Sequence, residues 1–295
     1  MIYSCIDIGG TAIKFGLVDE TGRFHKKGGL PTEAATGGGP GIVHKVRSLI
    51  QRQLADHPLA GIGISTAGII DTERGAVDYA LSIPDYTRTA WKSLLENEFQ
   101  LPCIVENDTN CAALGEWWLG AGRDMDSLFA VTVGTSIGGA FIEKGHILHG
   151  ACRSAGEIAY MRVPAGRLHD VASATYLCRE MACKKAADPE KVDGRTCFAW
   201  VRQGDATAAA VLDTFCQNLA DGLANIACLC NPDGIVLGGG IMAQEDILRP
   251  KLEAALAARL PAMMLPPKGL AFAKRQNDAG MLGALYLLLH RNGSY

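Results

Sequence analysis

The feature that most constrains the fold of this chain is a hairpin pattern near its start, residues 5–18. Two runs with the composition of β-strands flank a small turn, Gly9-Gly10-Thr11, which predicts a β-hairpin whose tip a ligand can approach closely. The first run is apolar except for one carboxylate, Asp7. Because a buried carboxylate needs a cation or donors, and the turn offers N–H groups suited to phosphate, the pattern favours a magnesium-phosphate site. An ordinary hairpin with a surface-facing Asp7 would have the same sequence.

The same pattern recurs at residues 129–142. Thr132 occupies the position of Asp7 in the first copy, and Gly134-Thr135-Ser136 occupies the position of the first turn. The two copies lie more than 100 residues apart, which indicates a duplicated domain rather than a short structural repeat. The duplication predicts two similar halves facing each other across a cleft, each holding one side of a nucleotide's phosphates.

Composition favours a globular protein and argues against several functions. The 295 residues are 48% apolar and 20% charged, which is enough for one or two domains with a large core. A net charge of −3 without a basic run argues against nucleic-acid binding. Apolar stretches are shorter than the roughly 20 residues that span a bilayer, and a leader pattern is absent, so we expect a cytoplasmic protein away from the membrane. We expect the ten cysteines to be reduced thiols.

Two predicted strands end in residues suited to ligand binding. Residues 60–65 form an apolar run that leads to Gly68, where small residues leave room for a ligand or simply make a turn. Residues 102–106 predict a buried strand, and the polar residues 107–110 then open a helix, which is where open α/β folds bind ligands. A helix cap needs one polar residue. Four consecutive polar residues are more than a cap requires, so the pattern favours a functional carboxylate at Asp108 over capping alone.

Three later segments complete the pattern. Glu157 and Tyr160 interrupt an apolar context, and a predicted strand ends in the glycines 238–240. Backbone can approach a flat base or ribose at such a turn because no side chain intervenes. The Gly-, Pro- and Thr-rich residues 28–41 lack periodicity and predict a surface loop.

Taken together, these motifs resemble the ROK family of sugar kinases, which belong to the actin/hexokinase/Hsp70-like superfamily. The resemblance runs from residue 3 to about residue 288 in the family's order and spacing. It rests on Asp7-Ile8-Gly9-Gly10-Thr11, Glu106-Asn107-Asp108, residues 132–139, Gly156-Glu157 and Leu237-Gly238-Gly239-Gly240. Because the chain starts at the phosphate hairpin, it resembles the kinase branch rather than the branch with an N-terminal DNA-binding domain.

The resemblance implies an α/β fold of two domains with repeated ribonuclease-H-like topology and the active site in the cleft between them. We expect a smaller N-terminal kinase domain of residues 1–119 plus 280–295. We expect a larger C-terminal kinase domain of residues 120–279. A homodimer is the assembly that the family implies.

The resemblance also implies a set of site residues. Asp108 matches the catalytic base, and Asp7 matches a residue that holds Mg²⁺ through water. The expected phosphate and ATP contacts are Asp7, Gly9, Gly10, Thr11, Lys14, Thr132, Gly134, Thr135, Ser136, Gly238, Gly239 and Gly240. The expected sugar contacts are Gly68, Asn107, Asp108, Glu157 and Tyr160. The expected ligands are therefore ATP, Mg²⁺ and a small-molecule sugar. Phosphoryl transfer to a sugar hydroxyl needs one carboxylate that accepts the hydroxyl proton.

The sequence departs from the family's pattern near the sugar. The family's usual His three positions after Glu157 is Tyr160 here, and the cysteine-rich loop that binds structural zinc with that His is replaced by residues 162–170. No cysteine lies between Cys152 and Cys178. We therefore expect this chain to lack structural zinc.

The same departures bear on the substrate. A further sugar-contacting Glu of the zinc-loop region has no clear equivalent, and His169 or Asp170 lies nearest. A zinc-free member with Gly-Glu-x-x-Tyr-Met is most similar to the β-glucoside kinases, which phosphorylate the 6-hydroxyl of cellobiose-type disaccharides. A monosaccharide kinase acting on glucose, mannose or N-acetylmannosamine is the alternative. A catalytically silent sugar-binding regulator is disfavoured by the presence of both Asp7 and Asp108.

Overall fold

The computed structural model describes residues 1–80 and 83–291, which fall into two compact units. Unit 1 comprises Met1–Gly120, His149–Ser154 and Asn277–Tyr295, and unit 2 comprises Ala121–Leu148 and Ala155–Gln276. The domain bounds expected from the sequence, 1–119 plus 280–295 and 120–279, stay a prediction, and their residues 292–295 lie outside the described residues.

Unit 1 is built on a five-stranded sheet in the order β3-β2-β1-β4-β7. These strands are β1 (Ile2–Ile8), β2 (Ala12–Asp19), β3 (Phe24–Pro31), β4 (Ile62–Thr66) and β7 (Cys103–Asn107). β1 and β2 are antiparallel, whereas β1, β4 and β7 run parallel. A separate ribbon contains β5 (Ile69–Asp71) and β6 (Ala76–Tyr79). The helices are α1 (Ala34–Asp56), α2 (Trp91–Phe99), α3 (Asp108–Leu119) and α9 (Ala279–His290).

Unit 2 is built on a second five-stranded sheet in the order β10-β9-β8-β13-β14. These strands are β8 (Ser127–Val133), β9 (Ile137–Glu143), β10 (His146–Ile147), β13 (Gly234–Gly238) and β14 (Leu270–Phe272). A short ribbon contains β11 (Arg162–Val163) and β12 (Gly166–Arg167). The helices are α4 (Leu168–Ala172), α5 (Ala174–Lys184), α6 (Gly194–Arg202), α7 (Ala206–Cys230) and α8 (Glu245–Ala257).

The two sheets have the same topology. In each, three consecutive strands pair antiparallel. The first of them also pairs in parallel with a later strand, and that later strand pairs in parallel with the last strand of the sheet. β1 and β2 form the first predicted hairpin, and β8 and β9 form the second. The predicted α/β fold of two repeated halves is therefore confirmed.

Residues 28–41 are not the surface loop that their composition predicts. Residues 28–31 complete β3, which pairs with β2 at the edge of the sheet, and α1 begins at Ala34. The backbone leaves helical geometry at Gly38, where φ is 53°, so Pro40 lies in the first turn of the helical segment that follows. Proline is tolerated at that position because its missing N–H has no partner there in any helix. Glycine and proline therefore mark a break within α1 rather than a loop.

None of the helices within residues 1–80 and 83–291 combines the length and apolar character that crossing a bilayer requires.

Helix α9 packs closely on α3 in unit 1. Gly283 of α9 lies against the carbonyl group of Cys111, and Gly115 of α3 lies against the carbonyl group of Ala279. A β-carbon at either glycine would overlap backbone atoms of the other helix. The contact fixes where α9 begins, and the N-terminus of α9 borders the site described below.

This packing predicts opposite effects for two helical Gly→Ala substitutions. Gly283→Ala should lower the free energy of unfolding by roughly 1–3 kcal/mol, because the added methyl group overpacks the contact between the helices. Gly41→Ala in α1 is the matched control, because nothing lies within 4 Å of a β-carbon there. It should leave stability unchanged or raise it by roughly 0.5–1 kcal/mol. Urea denaturation measures both, and equal effects of the two substitutions would contradict the packing argument.

Candidate active site

Asp7 lies near the end of β1, and three groups compensate its carboxylate. The Ser65 hydroxyl of β4 donates to Oδ1 of Asp7 at 2.7 Å. Lys14, which pairs with Asp7 across the hairpin, places Nζ 3.5 Å from Oδ2. The third group is the start of α9, because a β-carbon on Gly280 would lie 3.0 Å from Oδ1, and a helix N-terminus favours a nearby negative charge.

The tip of the first hairpin is open to solvent. Gly10 and Thr11 are exposed, and nothing lies within 4 Å of a β-carbon at Gly10. The buried Thr32 holds the turn from behind, because its hydroxyl donates to the Gly9 carbonyl at 2.7 Å and its N–H donates to the Thr11 carbonyl at 3.0 Å. The outer side of the tip is thus presented to a ligand on a fixed base.

The residues of this hairpin fit a hydrated magnesium ion. Mg²⁺ usually keeps several waters and uses one or two carboxylates together with substrate phosphates. Asp7 offers such a carboxylate, with 15% of its side chain exposed. Among residues 1–80 and 83–291, no group of three or more His, Cys, Asp or Glu side chains is arranged to hold a metal ion. The expected lack of structural zinc stays a prediction.

Asn107 caps α3 and holds the loop after β4. Its Oδ1 accepts hydrogen bonds from the N–H groups of Thr109 at 2.9 Å and Asn110 at 3.1 Å. Its Nδ2 donates to the Gly68 carbonyl at 2.9 Å. Gly68 has φ 116°, and a β-carbon there would lie 2.7 Å from the Tyr79 carbonyl oxygen, so this position requires glycine. Unit 1 thereby brings together Gly68 and Asn107, two of the expected sugar-contacting residues.

Asp108 is the first residue of α3. Because Asn107 performs the capping, the helix start does not require a carboxylate at the next position. The Oδ1 atom of Asp108 accepts from the N–H of Thr109 at 2.8 Å, and the side chain is partly exposed. A carboxylate in the first helical turn is stabilised by the helix dipole. The arrangement suits a base that accepts a proton from a hydroxyl group, which is a role that we propose below.

Glu106 precedes these residues and is buried, with 2% of its area exposed. Its Oε1 accepts from the N–H of Asn107 at 2.7 Å and from Nδ2 of Asn110 at 3.0 Å. Nε2 of His149 donates to its Oε2 at 2.7 Å. This hydrogen bond and the charge of Glu106 raise the pKa of His149 above its ordinary value, against an opposing effect of burial.

In unit 2, the tip of the second hairpin is tied to the start of α4 and α5. The N–H of Ala174 donates to the Gly134 carbonyl, and the Thr175 hydroxyl donates to the Thr135 carbonyl, both at 2.9 Å. The Ser136 hydroxyl and Nδ1 of His169 form a hydrogen bond of 2.9 Å. His169 therefore links residues 162–170 to the tip of the second hairpin.

Two further predicted contacts flank the end of β8. The Thr132 hydroxyl lies 3.5 Å from the Gly138 carbonyl across the hairpin. Gly239 has φ 100° and packs directly on the backbone of Val133, so a side chain at this position would overlap that backbone. At Gly240, by contrast, a β-carbon would meet nothing within 4 Å. The triple-glycine turn thus lies beside the strand that leads into the second hairpin tip.

A short 3₁₀ turn spans Ile158–Tyr160. Glu157 directly precedes this turn, and Tyr160 is its last residue. Gly156 before them has φ 92° and packs on the Gly139 carbonyl. The Glu157 side chain reaches solvent, but the atoms crowded around its carboxyl group desolvate it and raise its pKa. The Tyr160 residue is 63% exposed.

Of the two residues nearest the missing zinc-loop Glu, Asp170 forms a two-pronged ion pair with Arg167, with N–O distances of 2.7 and 3.1 Å. This hydrogen bonding lowers the pKa of Asp170. The other residue, His169, forms a hydrogen bond with Ser136. Both side chains are therefore engaged within unit 2.

Comparison with known proteins decides the family. The sequence profile of the ROK family matches residues 3–291. This chain belongs to the ROK family. It is 32% identical to a glucokinase of Halalkalibacterium halodurans, over 99% of this chain and 96% of that one. It is 31% identical to a β-glucoside kinase of Listeria monocytogenes, over the whole of both chains.

A solved structure agrees with this assignment. The ROK family glucokinase from Streptomyces griseus, in complex with glucose and AMPPNP, aligns with a TM-score of 0.82 at 27% identity, covering 97% of this chain and 99% of that one. This ROK chain is thus a carbohydrate kinase with the two-domain actin/hexokinase-like fold expected from its motifs.

Sequence reasoning missed two partners of the ROK site. Ser65 is followed by Thr66 at the end of the apolar strand β4, and this pair of hydroxyl residues was the sequence signal for it. His149 gave no local signal, because it meets Glu106 from 43 positions away.

The first prediction for this ROK kinase concerns Asp108. Asp108→Asn keeps the size of the side chain and its acceptor for the Thr109 N–H, but it removes the base. Turnover in a coupled assay with sugar, ATP and Mg²⁺ should fall by roughly 10²- to 10⁴-fold. Calorimetric sugar binding should persist, and Asp56→Asn at an exposed surface pair is the control. Near-normal turnover of a folded Asp108→Asn protein would exclude the role.

The second prediction concerns Asp7, which we expect to act on the metal and phosphates. Asp7→Asn should depress turnover and raise the Mg²⁺ concentration required for half-maximal rate, because a neutral amide holds hydrated Mg²⁺ poorly. Sugar affinity measured calorimetrically without nucleotide should stay within about twofold of the unmodified protein. A large loss of nucleotide-free sugar binding would contradict the assignment.

Proposed function

We propose that this ROK kinase transfers the γ-phosphoryl group of ATP to the 6-hydroxyl of a hexose unit, with a β-glucoside such as cellobiose as the acceptor. In this reaction the bond between the γ-phosphorus and its bridging oxygen breaks, and a bond from that phosphorus to the sugar oxygen forms. Asp108 accepts the hydroxyl proton. Such transfers rely on positioning and charge stabilisation.

The residues of unit 1 divide these tasks. Gly68 and Asn107, joined by a hydrogen bond, contact the sugar beside Asp108. Asp7 would hold Mg²⁺ through water, and the ion would neutralise phosphate charge when bound. Lys14, 3.5 Å from Asp7 and partly exposed, supplies a second positive charge at the hairpin. The open tip, Gly9–Thr11, contributes N–H groups to phosphate oxygens.

The residues of unit 2 contribute the remaining contacts. Residues 134–136, held from behind by α5, contact phosphate. Gly238–Gly240 accept the adenosine, because the turn carries no side chains. Glu157 accepts hydrogen bonds from sugar hydroxyls. Thr132 lies at the base of the same hairpin.

The observation that carries the choice of acceptor is the exposed ring of Tyr160. A histidine at this position can serve sugar and zinc together, whereas a phenol offers one hydroxyl and a flat apolar ring. With 63% of the residue exposed, the ring is accessible to a second sugar ring. The adjacent residues 162–167 form a β-ribbon in place of a cysteine-rich loop. The similarity of this chain to the β-glucoside kinase of Listeria monocytogenes, which extends over the whole of both chains, also supports a β-glucoside as the acceptor.

A monosaccharide kinase is the second candidate. The glucokinase of Halalkalibacterium halodurans is as similar to this chain as the β-glucoside kinase is. Glucose, mannose and N-acetylmannosamine therefore belong in the same assay. The cytoplasmic location and the homodimer stay predictions.

A panel of acceptors tests the proposal. With ATP and Mg²⁺, kcat/KM for cellobiose or an aryl β-glucoside should exceed that for glucose, and the purified protein should contain no stoichiometric zinc. A preference for glucose or N-acetylmannosamine would favour the monosaccharide kinase. Absence of turnover with every acceptor would favour the alternative of a catalytically silent sugar-binding regulator. Stoichiometric bound zinc would contradict the role of Tyr160 as a metal-free contact.

Variants of Tyr160 separate stacking from hydrogen bonding. Tyr160→Ala should lower kcat/KM for cellobiose by roughly 2- to 10-fold, the range expected for a lost ring contact, and should change kcat/KM for glucose much less. Tyr160→Phe should keep the preference for cellobiose. Met263→Ala, which removes another exposed side chain of unit 2, is the control. Equal losses for both sugars in Tyr160→Ala would contradict the stacking role.

A further inference from the structure

The segment His149–Ser154 belongs to unit 1, although the chain on both sides of it belongs to unit 2. Ion pairs of two of its side chains, His149 and Arg153, hold it there. Nε2 of His149 lies 2.7 Å from Oε2 of Glu106, and Nη2 of Arg153 lies 3.3 Å from the buried Asp71. Arg153 also lies 3.5 Å from Asp78. The segment is therefore attached to unit 1 by side chains rather than by the local order of the chain.

The contact with His149 completes the surroundings of a buried carboxylate. The side chain of Glu106 is 3% exposed, and its Oε1 is used by Asn107 and Asn110. Its Oε2 faces His149. Because an ionised carboxylate is stable in a protein interior only when donors or an opposite charge satisfy it, loss of His149 leaves Oε2 undersatisfied.

Glu106 in turn determines where the sugar-side residues lie. It binds the backbone N–H of Asn107, whose own side chain caps α3 and holds the Gly68 carbonyl. Asp108 is the first residue of that helix. A change in the position of the Glu106 carboxylate therefore displaces the start of α3 and the residues on it.

We propose that His149 is a positioning residue of the kinase, which acts through Glu106 to hold Asn107 and Asp108 in place for the sugar hydroxyl. The inference rests on the proposed function, because it assigns those two residues to the sugar. It adds a residue from a segment remote in sequence that none of the site motifs contains.

The charge on His149 gives this role a pH dependence. The groups that face the imidazole are Glu106 on β7, which raises its pKa, and Arg153 in its own segment, which opposes the rise. A histidine whose folded-state pKa is raised contributes its full stabilisation below the ordinary value of about 6.5 and loses it as the pH rises through the raised value. Sugar affinity should therefore decline on the alkaline side.

Three variants of the protein test the proposal, with thermal unfolding as a check of folding. His149→Ala should weaken nucleotide-free binding of the preferred sugar by roughly 10-fold, because a charge-assisted hydrogen bond is lost. His149→Gln keeps a donor but cannot titrate, so it should retain more affinity and lose the alkaline decline. His57→Gln, at the exposed end of α1, is the matched control and should behave as the unmodified protein.

An unchanged affinity and pH profile in His149→Ala would overturn the proposal. A lowered melting temperature of His149→Ala, with sugar affinity and pH profile both unchanged, would overturn it as well. A purely structural role of His149 predicts that result.

Backbone amide signals of Asn107 and Thr109 in NMR spectra make this test independent of activity. They should titrate with His149 in the unmodified protein and not in His149→Gln. Absence of that titration would overturn the positioning role even in an active kinase. Absence of turnover with every acceptor would instead contradict the proposed function, while the amide titration would still support the link from His149 to Asn107.

Discussion

Ionised carboxylates at the ends of parallel strands are costly to bury, and the arrangement of unit 1 depends on how that cost is met. At the end of β1, Asp7 is compensated by a hydroxyl from β4, an amine from β2 and the start of α9. At the end of β7, Glu106 is compensated by the two asparagines of the next turn and by His149. Each carboxylate thus fixes several elements relative to one another.

Close backbone contacts make these compensations possible. The start of α9 reaches Asp7 because Gly283 and Gly115 let that helix lie directly on α3. In unit 2, Gly239 similarly brings the glycine turn onto the end of β8. Glycine is required at these positions by space, and at Gly239 also by its positive φ. Gly115 and Gly283 therefore shape the site through helix packing, while Gly239 shapes the turn that we propose to accept the adenosine.

Much of the fold and of the candidate site follows from local patterns. Both hairpins, the strand that ends at Asn107 and the strand that ends in glycines all lie where the sequence predicts them. The glycine-rich residues 28–41 were predicted incorrectly, because composition does not reveal that β3 has an edge partner in β2 or that α1 continues beyond a break at Gly38. Pairing between strands and packing of helices overrode a local preference there.

The sequence by itself determined the repeated hairpins, the small and polar residues at the strand ends, and the family, since each is a pattern of neighbouring residues. Only the tertiary structure decided the partners of the carboxylates Asp7 and Glu106. Ser65 meets Asp7 through the parallel pairing of β1 with β4, and His149 meets Glu106 across 43 positions of the chain. Such contacts form when sheets assemble and remote segments dock, because burial forces a carboxylate to take the donors that packing brings to it.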